Sequence, residues 1–176
     1  VLVVGAGGLG SPVLSTLAGA GIGRLMVVDH DRVEESNLHR QTLFRMDDLG
    51  RLKVEAARKA LLAYNPEVAI EAVAVRLDPG NADRLVRGAD VVVDAVDSLA
   101  VTYILSDACR DASKPLVSAS VLGQQGYVGA FCGGGGPSYR TVFPDLPMAA
   151  GSCAANGVLG SAVAMVGALQ AHMVLQ

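Results

Sequence analysis

The opening of the chain joins an apolar run, a glycine-rich turn and a stretch of small residues. Residues Val1 to Val4 are apolar, and three glycines then form the pattern G-x-G-x-x-G: Gly5, Gly7 and Gly10. A second apolar run, Leu25 to Val28, ends in Asp29, about twenty residues after the glycines. This order of strand, glycine turn, helix, strand and acid predicts a Rossmann-like nucleotide-binding unit.

The glycines and the acid would have separate tasks in such a unit. Glycines permit a tight turn and let backbone N–H groups approach phosphate at the positive end of a helix. Asp29, at the carboxyl end of the second strand, can accept hydrogen bonds from ribose hydroxyls. A glycine-rich turn without a ligand is the alternative. The strand, the helix and the acid in register favour nucleotide binding.

Composition sets the size and class of the fold. A chain of 176 residues predicts one domain with a substantial core. The apolar fraction is 51%, with no Trp and few other aromatic residues, which is typical of tightly packed α/β layers. A net charge of −3 argues against sequence-independent binding of nucleic acid. Because Val1 already reads as strand and the last residues as helix, we expect a core trimmed at both ends.

Membrane insertion and disulfide bonds are not expected. The longest apolar segment, Val158 to Leu175, contains glycines and polar residues and is short for a membrane span. We interpret it as a helix that is buried or faces a partner subunit. The three cysteines are far apart and odd in number, which indicates neither a disulfide framework nor a metal pair: Cys109, Cys132 and Cys153. This usage predicts a reducing, cytoplasmic location.

Strands and helices alternate along the rest of the chain. The pattern predicts a doubly wound, mostly parallel sheet with helices on both faces. The predicted helices are Leu9 to Ala20, Arg51 to Tyr64, Asn81 to Arg87 and Leu99 to Ala112. Further strands are predicted at Val68 to Leu77, Ala89 to Val93, Pro115 to Val121 and Gly126 to Cys132, the last suited to an antiparallel position. In the helix from Arg51, the apolar face comprises Val54, Ala57, Leu61 and Tyr64. Residues 133–156 read as loop, which fits either a flexible active-site loop or a linker to the following helix.

Three polar clusters fall at the carboxyl edge of this sheet, where such folds bind ligands. They are Asp29 with Asp31, the segment Ser36 to Gln41, and Asp94 with Asp97. A nucleoside triphosphate needs fixed cations and a carboxylate that holds Mg²⁺. Arg40 and Lys53 could supply the cations, and Asp97 the carboxylate.

Each of these residues also has a simpler interpretation when it is taken alone. Lys53 could be a solvated helix residue, Arg40 a surface ion-pair partner and Asp94 a cap at a strand end. Their joint placement around a glycine turn favours a functional site.

Six stretches, in order over nearly the whole chain, resemble the adenylating fold of the ubiquitin-activating superfamily, and within it the ThiF/MoeB/HesA group. The most specific is VExSNLxRQ, which a plain dehydrogenase has no reason to carry. The six are GAGGLGS, VDHDRVEESNLHRQ, GRLKVEAA, DVVVDAVDS, PSYRTVFPDLP and SCAANGVLG.

The resemblance implies a reaction and its components. The C-terminal Gly-Gly carboxylate of a small ubiquitin-like sulfur-carrier protein would attack the α-phosphate of ATP, giving an acyl-adenylate and pyrophosphate. The protein would act as a homodimer. Arg40 and Lys53 would stabilise charge on the transferring group, Asp97 would hold Mg²⁺, and Asp29 would bind ribose. Further nucleotide contacts are implied at Gly5, Gly7, Gly8, Gly10, Ser36, Asn37, Leu38, His39, Gln41 and Ser98.

The sequence departs from the family pattern in places. Many relatives carry half of a structural zinc site as C-x-x-C where this chain has Ser138 and Thr141. Because a hydroxyl is a poor zinc ligand beside a thiolate, we predict no zinc. The family's Asp-Asn pair is Asp97-Ser98 here. Cys153 matches a position where some relatives use a thiol after adenylation, and a small packing residue is the alternative.

Other functions stay open from sequence alone. A nicotinamide-dependent oxidoreductase is compatible with Asp29, although no Tyr-x-x-x-Lys or histidine hydride site is evident. A ThiF-like adenylating enzyme that modifies tRNA is a second alternative. A non-catalytic binding scaffold is a third, and exchange of pyrophosphate into ATP would separate it from the enzyme.

Overall fold

The computed structural model describes residues 1–145 and 157–176. Its six-stranded sheet has the order β3-β2-β1-β4-β5-β6, in which β1 to β5 run parallel and β6 pairs antiparallel with β5. This confirms the predicted α/β sheet and its antiparallel last strand. The strands are β1 (Leu2–Val4), β2 (Arg24–Val28), β3 (Ala69–Val73), β4 (Val92–Asp94), β5 (Leu116–Leu122) and β6 (Gln125–Phe131).

Helices cover both faces of the sheet. In the described residues they are α1 (Gly10–Gly19), α2 (Lys53–Tyr64), α3 (Pro79–Arg87), α4 (Leu99–Ala112), α5 (Tyr139–Val142) and α6 (Gly160–Val174). Helix α6 packs on α1, β5 and β6, whereas α3 and α4 pack on each other. None of these helices is both long enough and apolar enough to cross a membrane.

Successive side chains along each strand point to opposite faces of the sheet, so the apolar side chains are divided between two cores. In β1, Val3 joins the core with α1, α2 and α6, while Leu2 and Val4 join the core with α3 and α4. Because of this alternation, a continuous apolar strand needs cover on both sides. The sheet is therefore doubly covered, as the sequence predicts.

Several predicted bounds are wrong by a few residues. Helix α2 begins at Lys53 rather than Arg51, and β3 spans Ala69–Val73 rather than ten residues. Tyr64 was expected on the buried face of α2, but it is 69% exposed and its ring lies against Gly19. The short helix α5 lies within the segment that we expected to be loop.

Candidate functional site

A cavity of about 630 Å³ opens at the carboxyl edge of the parallel strands. Its walls come from the turns that follow β1, β2, β3 and β4, from the end of β5 and from the start of α6. The strand order reverses between β1 and β4, and open α/β sheets bind ligands at this kind of switch point. The volume is in the range of small-molecule sites.

Two glycines of the opening motif are required by the packing of the backbone itself. Gly5 has φ +96°, and a Cβ atom there would lie 2.5 Å from the Ala95 carbonyl oxygen. A Cβ atom on Gly10 would lie 2.0 Å from the Gly5 carbonyl oxygen. Gly10 is buried and does not line the cavity, so its place in the motif is explained by the tight strand-to-helix turn.

Gly7, the remaining glycine of the motif, and its neighbour Gly8 lie on the cavity wall, as Gly5 also does. A Cβ atom on Gly7 would meet Gln41 Nε2 only at 3.8 Å, so the residue leaves open space beside its backbone. A Cβ atom on Gly8 would lie 2.9 Å from Val163 Cγ1 of α6. Because both residues line the cavity at the start of α1, their backbones are open to a phosphate group.

Asp29 ties the glycine turn to the end of β2. Its Oδ2 accepts a hydrogen bond from the Ala6 backbone N–H at 2.8 Å, and its Oδ1 accepts one from the Asp31 N–H at 2.8 Å. Asp29 is 9% exposed and lines the cavity. The structure therefore places this carboxylate where the sequence predicts the ribose partner.

The turn after β2 brings Arg40 to the cavity. Its Nη2 donates to Asn37 Oδ1 at 2.8 Å, and its Nη1 donates to the Ser36 carbonyl oxygen at 3.4 Å. Within residues 1–145 and 157–176, Arg40 forms no ion pair, so the surface ion-pair alternative is wrong for this part of the chain. Arg40 is thus a half-buried cation on the cavity wall.

Gln41 presents an unusual polar group. The residue is 3% exposed and lines the cavity, and its Oε1 has no hydrogen-bond partner among the described residues. Buried polar atoms normally have partners. Gln41 is therefore suited to a hydrogen bond with a ligand.

Three other residues of the same turn do not line the cavity. Leu38 packs against the core of α1, α2 and α6. His39 is exposed, and its Nδ1 lies 3.0 Å from the Ser36 carbonyl oxygen. Ser36 contributes that carbonyl oxygen to the turn. These residues shape the turn, and the cavity is lined by Asn37, Arg40 and Gln41.

Lys53 is buried rather than solvated. Its side chain is 7% exposed, and its Nζ lies 2.9 Å from Asp31 Oδ2. Burial alone would raise the pKa of Asp31, but the hydrogen bond and the charge of Lys53 hold it below its usual value. The solvated-helix alternative for Lys53 is therefore wrong.

Asp29, His30 and Asp31 lie close enough for one ligand atom from each to surround a cation. Both oxygens of Asp29 already accept backbone hydrogen bonds, and Asp31 is paired with Lys53. A metal ion there would have to displace Lys53, so this cluster is a poor candidate metal site.

Asp94 and Asp97 lie in different environments. Asp94 is 1% exposed; its Oδ2 accepts a hydrogen bond from Ser118 Oγ at 2.8 Å, and burial raises its pKa to about 6. The Val96 N–H donates to its Oδ1 at 3.4 Å, which fits the expected cap at the strand end. Asp97 is exposed on the cavity wall with Ser98, and its carboxylate has no partner in the described part of the chain.

The structure also adds cavity residues that our sequence reasoning missed. They include residues from the turns after β2 and β3, from the end of β5 and from the start of α6: His30, Arg32, Glu34, Val75, Arg76, Leu77, Ser120, Leu122, Val158 and Val163. Residues after β3 follow the same edge rule as Asp29 and Asp97, and that signal could have found them. The approach of α6 depends on long-range packing and has no local signal.

The segment for which the sequence predicts no zinc places two hydroxyl groups side by side. Ser138 Oγ and Thr141 Oγ1 lie 2.9 Å apart, and Ser138 Oγ accepts the Thr141 backbone N–H at 3.2 Å. The Ser138 hydroxyl caps α5 and is hydrogen-bonded to the Thr141 hydroxyl, and two hydroxyl groups do not fit a zinc ligand set. Arg140 adds an ion pair to Asp107 at 2.7 Å.

Of the three cysteines, Cys109 and Cys132 are buried among apolar residues, and burial raises the pKa of both thiols. This agrees with packing roles. Cys153 lies outside the described residues.

Comparison with known proteins agrees with this geometry. The model of the ThiF family matches residues 1–176. The chain is 46% identical over 173 residues to the adenylyltransferase and sulfurtransferase MOCS3 of Drosophila sechellia, covering 97% of this chain and 38% of that protein. It is 46% identical over 183 residues to the sulfur carrier protein adenylyltransferase of Thermus thermophilus, covering 100% of this chain and 68% of that protein.

A third relative and a solved structure are also similar to this chain. The SAMP-activating enzyme E1 of Haloferax volcanii is 43% identical over 173 residues, with 97% of this chain and 64% of that protein covered. The crystal structure of E. coli MccB with ATP has a TM-score of 0.82 at 25% identity, covering 99% of this chain and 54% of that one. The chain spans about two fifths of the length of the MOCS3 relative.

Proposed function

Because this chain belongs to the ThiF family, we propose that it is an ATP-dependent adenylyltransferase. Its substrate would be the C-terminal Gly-Gly carboxylate of a small ubiquitin-like sulfur carrier. The names of the T. thermophilus and H. volcanii relatives, a sulfur carrier protein adenylyltransferase and a SAMP-activating enzyme, support this class of partner. The observation that carries the proposal is one cavity lined by the glycine turn, Arg40, Lys53 and Asp97.

In the proposed reaction, a carboxylate oxygen of the carrier attacks the α-phosphorus of ATP. A new C(O)–O–P bond forms, and the bond from the α-phosphorus to the pyrophosphate oxygen breaks. A carboxylate is already ionised at neutral pH, so the site needs no strong base. The chain would contribute fixed charge and position: Arg40 and Lys53 offset negative charge on the phosphates as it redistributes.

The nucleotide would be held by groups that line the same cavity. The backbones of Gly7 and Gly8 face the phosphates in this proposal, and Asp29 accepts hydrogen bonds from ribose. The unpartnered Oε1 of Gln41 and the side chain of Asn37 would complete the phosphate side, with Ser98 beside Asp97. Ser36, Leu38, His39, Gly5 and Gly10 would act by shaping the turns.

Mg²⁺ fits the Asp97 carboxylate. Magnesium is commonly held by one or two carboxylates together with substrate phosphates, and it neutralises charge on phosphate oxygens. Asp97 is exposed at the cavity and has no competing partner in the described part of the chain. Its task in this proposal is to fix the ion beside the nucleotide.

The remaining proposals rest on the family resemblance and on sequence. The protein would act as a homodimer in the cytoplasm, without zinc at Ser138 and Thr141. A thiol role for Cys153 after adenylation rests on its sequence position alone. Sedimentation velocity and metal analysis of the purified protein would test the dimer and the absence of zinc.

Pyrophosphate exchange tests the central proposal. Purified protein would be incubated with MgATP, labelled pyrophosphate and a panel of small ubiquitin-like proteins that end in Gly-Gly. We expect exchange with at least one carrier, and a loss of about a hundredfold or more in Lys53→Met and in Asp97→Ala. The same carrier without its last glycine is the matched substrate control.

Contrary results would be decisive. Binding of a Gly-Gly carrier without exchange would indicate a scaffold. Reduction of a nicotinamide cofactor, or full exchange in both variants, would contradict the assigned chemistry.

A further inference from the structure

Lys53 lines the cavity, and its ammonium group is held by one carboxylate. Its Nζ donates to Asp31 Oδ2 at 2.9 Å, and its backbone N–H donates to the Asp31 carbonyl oxygen at 2.9 Å. The Lys53 side chain is 7% exposed, whereas that of Asp31 is 51% exposed. A half-exposed carboxylate on the cavity wall, Asp31, therefore holds a nearly buried cation.

Asp31 is itself fixed to the glycine turn. Its N–H donates to Asp29 Oδ1 at 2.8 Å, and Asp29 Oδ2 accepts the Ala6 N–H at 2.8 Å. A continuous set of hydrogen bonds thus runs from the turn through Asp29 and Asp31 to Lys53. The position of the ammonium group is in this way linked to the position of the turn.

A lysine side chain has four rotatable bonds and does not fix its own charge in one place. A buried ammonium group without a partner is also costly. The carboxylate of Asp31 is ionised at neutral pH, since Lys53 holds its pKa below the usual value against the effect of burial. Asp31 can therefore both place the cation and compete with phosphate oxygens for it.

We propose that Asp31 is a positioning residue that holds Lys53 in place for the triphosphate and shares it with the phosphate groups in the complex. This inference rests on the proposed adenylation, because Lys53 acts there on the transferring group. Asp31 exerts its effect through Lys53 and is itself no ligand of the metal ion.

The two effects of Asp31 predict opposite changes in Asp31→Asn. Loss of the carboxylate removes a negative charge from the cavity, so KM for ATP should fall by about threefold. Loss of the ion pair with Lys53 should lower kcat for pyrophosphate exchange by about tenfold, because the ammonium group is no longer held in place. A variant that is merely misfolded would lower kcat and leave KM unchanged.

Asp31→Glu keeps the charge with one more methylene group, and it should recover part of the lost kcat. Asp83→Asn is the control, since Asp83 is an exposed acid that pairs with Arg87 on α3. It loses the same charge far from the cavity, and its kinetic constants should equal those of the unaltered protein. Circular dichroism would establish that each variant is folded.

A double-mutant cycle tests whether Asp31 acts through Lys53. In a Lys53→Met background, Asp31→Asn should cause no further loss of kcat. If the two residues acted independently, the fold-losses of kcat of the two single variants would multiply in the double variant. A further tenfold loss, or a rise in KM in Asp31→Asn, would overturn the inference and favour Asp31 as a metal ligand.

Binding of a non-hydrolysable ATP analogue with Mg²⁺, measured by calorimetry, separates this inference from the proposed reaction. If no carrier supports exchange, the adenylation proposal fails. The inference on Asp31 then stands if Asp31→Asn binds the analogue more tightly while Lys53→Met binds it more weakly. It falls if both variants bind the analogue more weakly.

Discussion

Asp94 has a fully buried carboxyl group, and it lies beside the candidate site. Its carboxyl group accepts hydrogen bonds from Ser118 Oγ and from the Val96 N–H, and no cation lies against it in the described part of the chain. Burial therefore outweighs the hydrogen bonds and raises its pKa to about 6. At neutral pH the folded protein carries a buried charge that is only partly compensated.

This burial predicts a pH-dependent effect of Asp94→Asn. The folded state binds this proton more tightly than the unfolded state, so the stability from Asp94 is complete below the unfolded pKa and declines as pH rises through about 6. The amide carries no charge. The variant should thus gain up to about 2 kcal/mol in free energy of unfolding at pH 8 and almost nothing at pH 4.

Urea unfolding of both proteins between pH 4 and pH 8 would measure this difference. Asp83→Asn, on the exposed surface of α3, serves as the reference and should show no comparable dependence on pH. A variant that is less stable at pH 8 would show that the hydrogen bonds of the carboxylate outweigh its burial.

At the scale of single elements, the sequence predicts the bounds of an element best where its pattern is local. Helix α4 has the bounds predicted for it, Leu99–Ala112, because its apolar spacing and flanking residues agree. Tyr64 fits the helical period of α2 but is exposed in its last turn, where the period alone does not determine burial. The burial of Lys53 depends on Asp31, in a turn more than twenty residues earlier, which the period of α2 cannot reveal.

The turn between β1 and α1 allows a prediction that separates folding from binding. Alanine at Gly10 would place a methyl group 2.0 Å from the Gly5 carbonyl oxygen, so Gly10→Ala should lower the free energy of unfolding by about 3 kcal/mol or more. Alanine at Gly7 meets its nearest neighbour at 3.8 Å and should change stability by less than about 1 kcal/mol.

Gly7→Ala should instead weaken binding of MgATP by about tenfold, since the methyl group occupies space on the cavity wall. Chemical denaturation and calorimetry on the two variants would make the comparison. Equal loss of stability in both would show that Gly7, too, serves the fold alone.

At the scale of the whole molecule, the last helix connects the sheet to the site. Gln170 of α6 is completely buried, and its Nε2 donates to the Asp94 carbonyl oxygen at 2.7 Å and to the Val117 carbonyl oxygen at 3.0 Å. Ten residues or so earlier, Val158 and Val163 line the cavity. The sequence predicts a helix here, but its docking depends on the whole sheet and could not be read locally.

Gln170→Met should therefore act on both stability and binding. Methionine fills a similar volume but cannot donate to the two carbonyl groups, which should lower the free energy of unfolding by about 2 kcal/mol. Affinity for MgATP should fall as well, because α6 is less firmly held. Leu169→Met, at the exposed neighbouring position, is the control, and equal behaviour of the two variants would refute the role of Gln170.

The cavity is lined by residues from Val4 to Val163, so its walls come from segments that are far apart in the sequence. A nascent polypeptide emerging from a ribosome would carry the glycine turn early but could not assemble a complete pocket until α6 had been made. Nucleotide binding would therefore require that the chain had been made as far as α6 and had folded, and a bound nucleotide would stabilise the assembled fold as a unit.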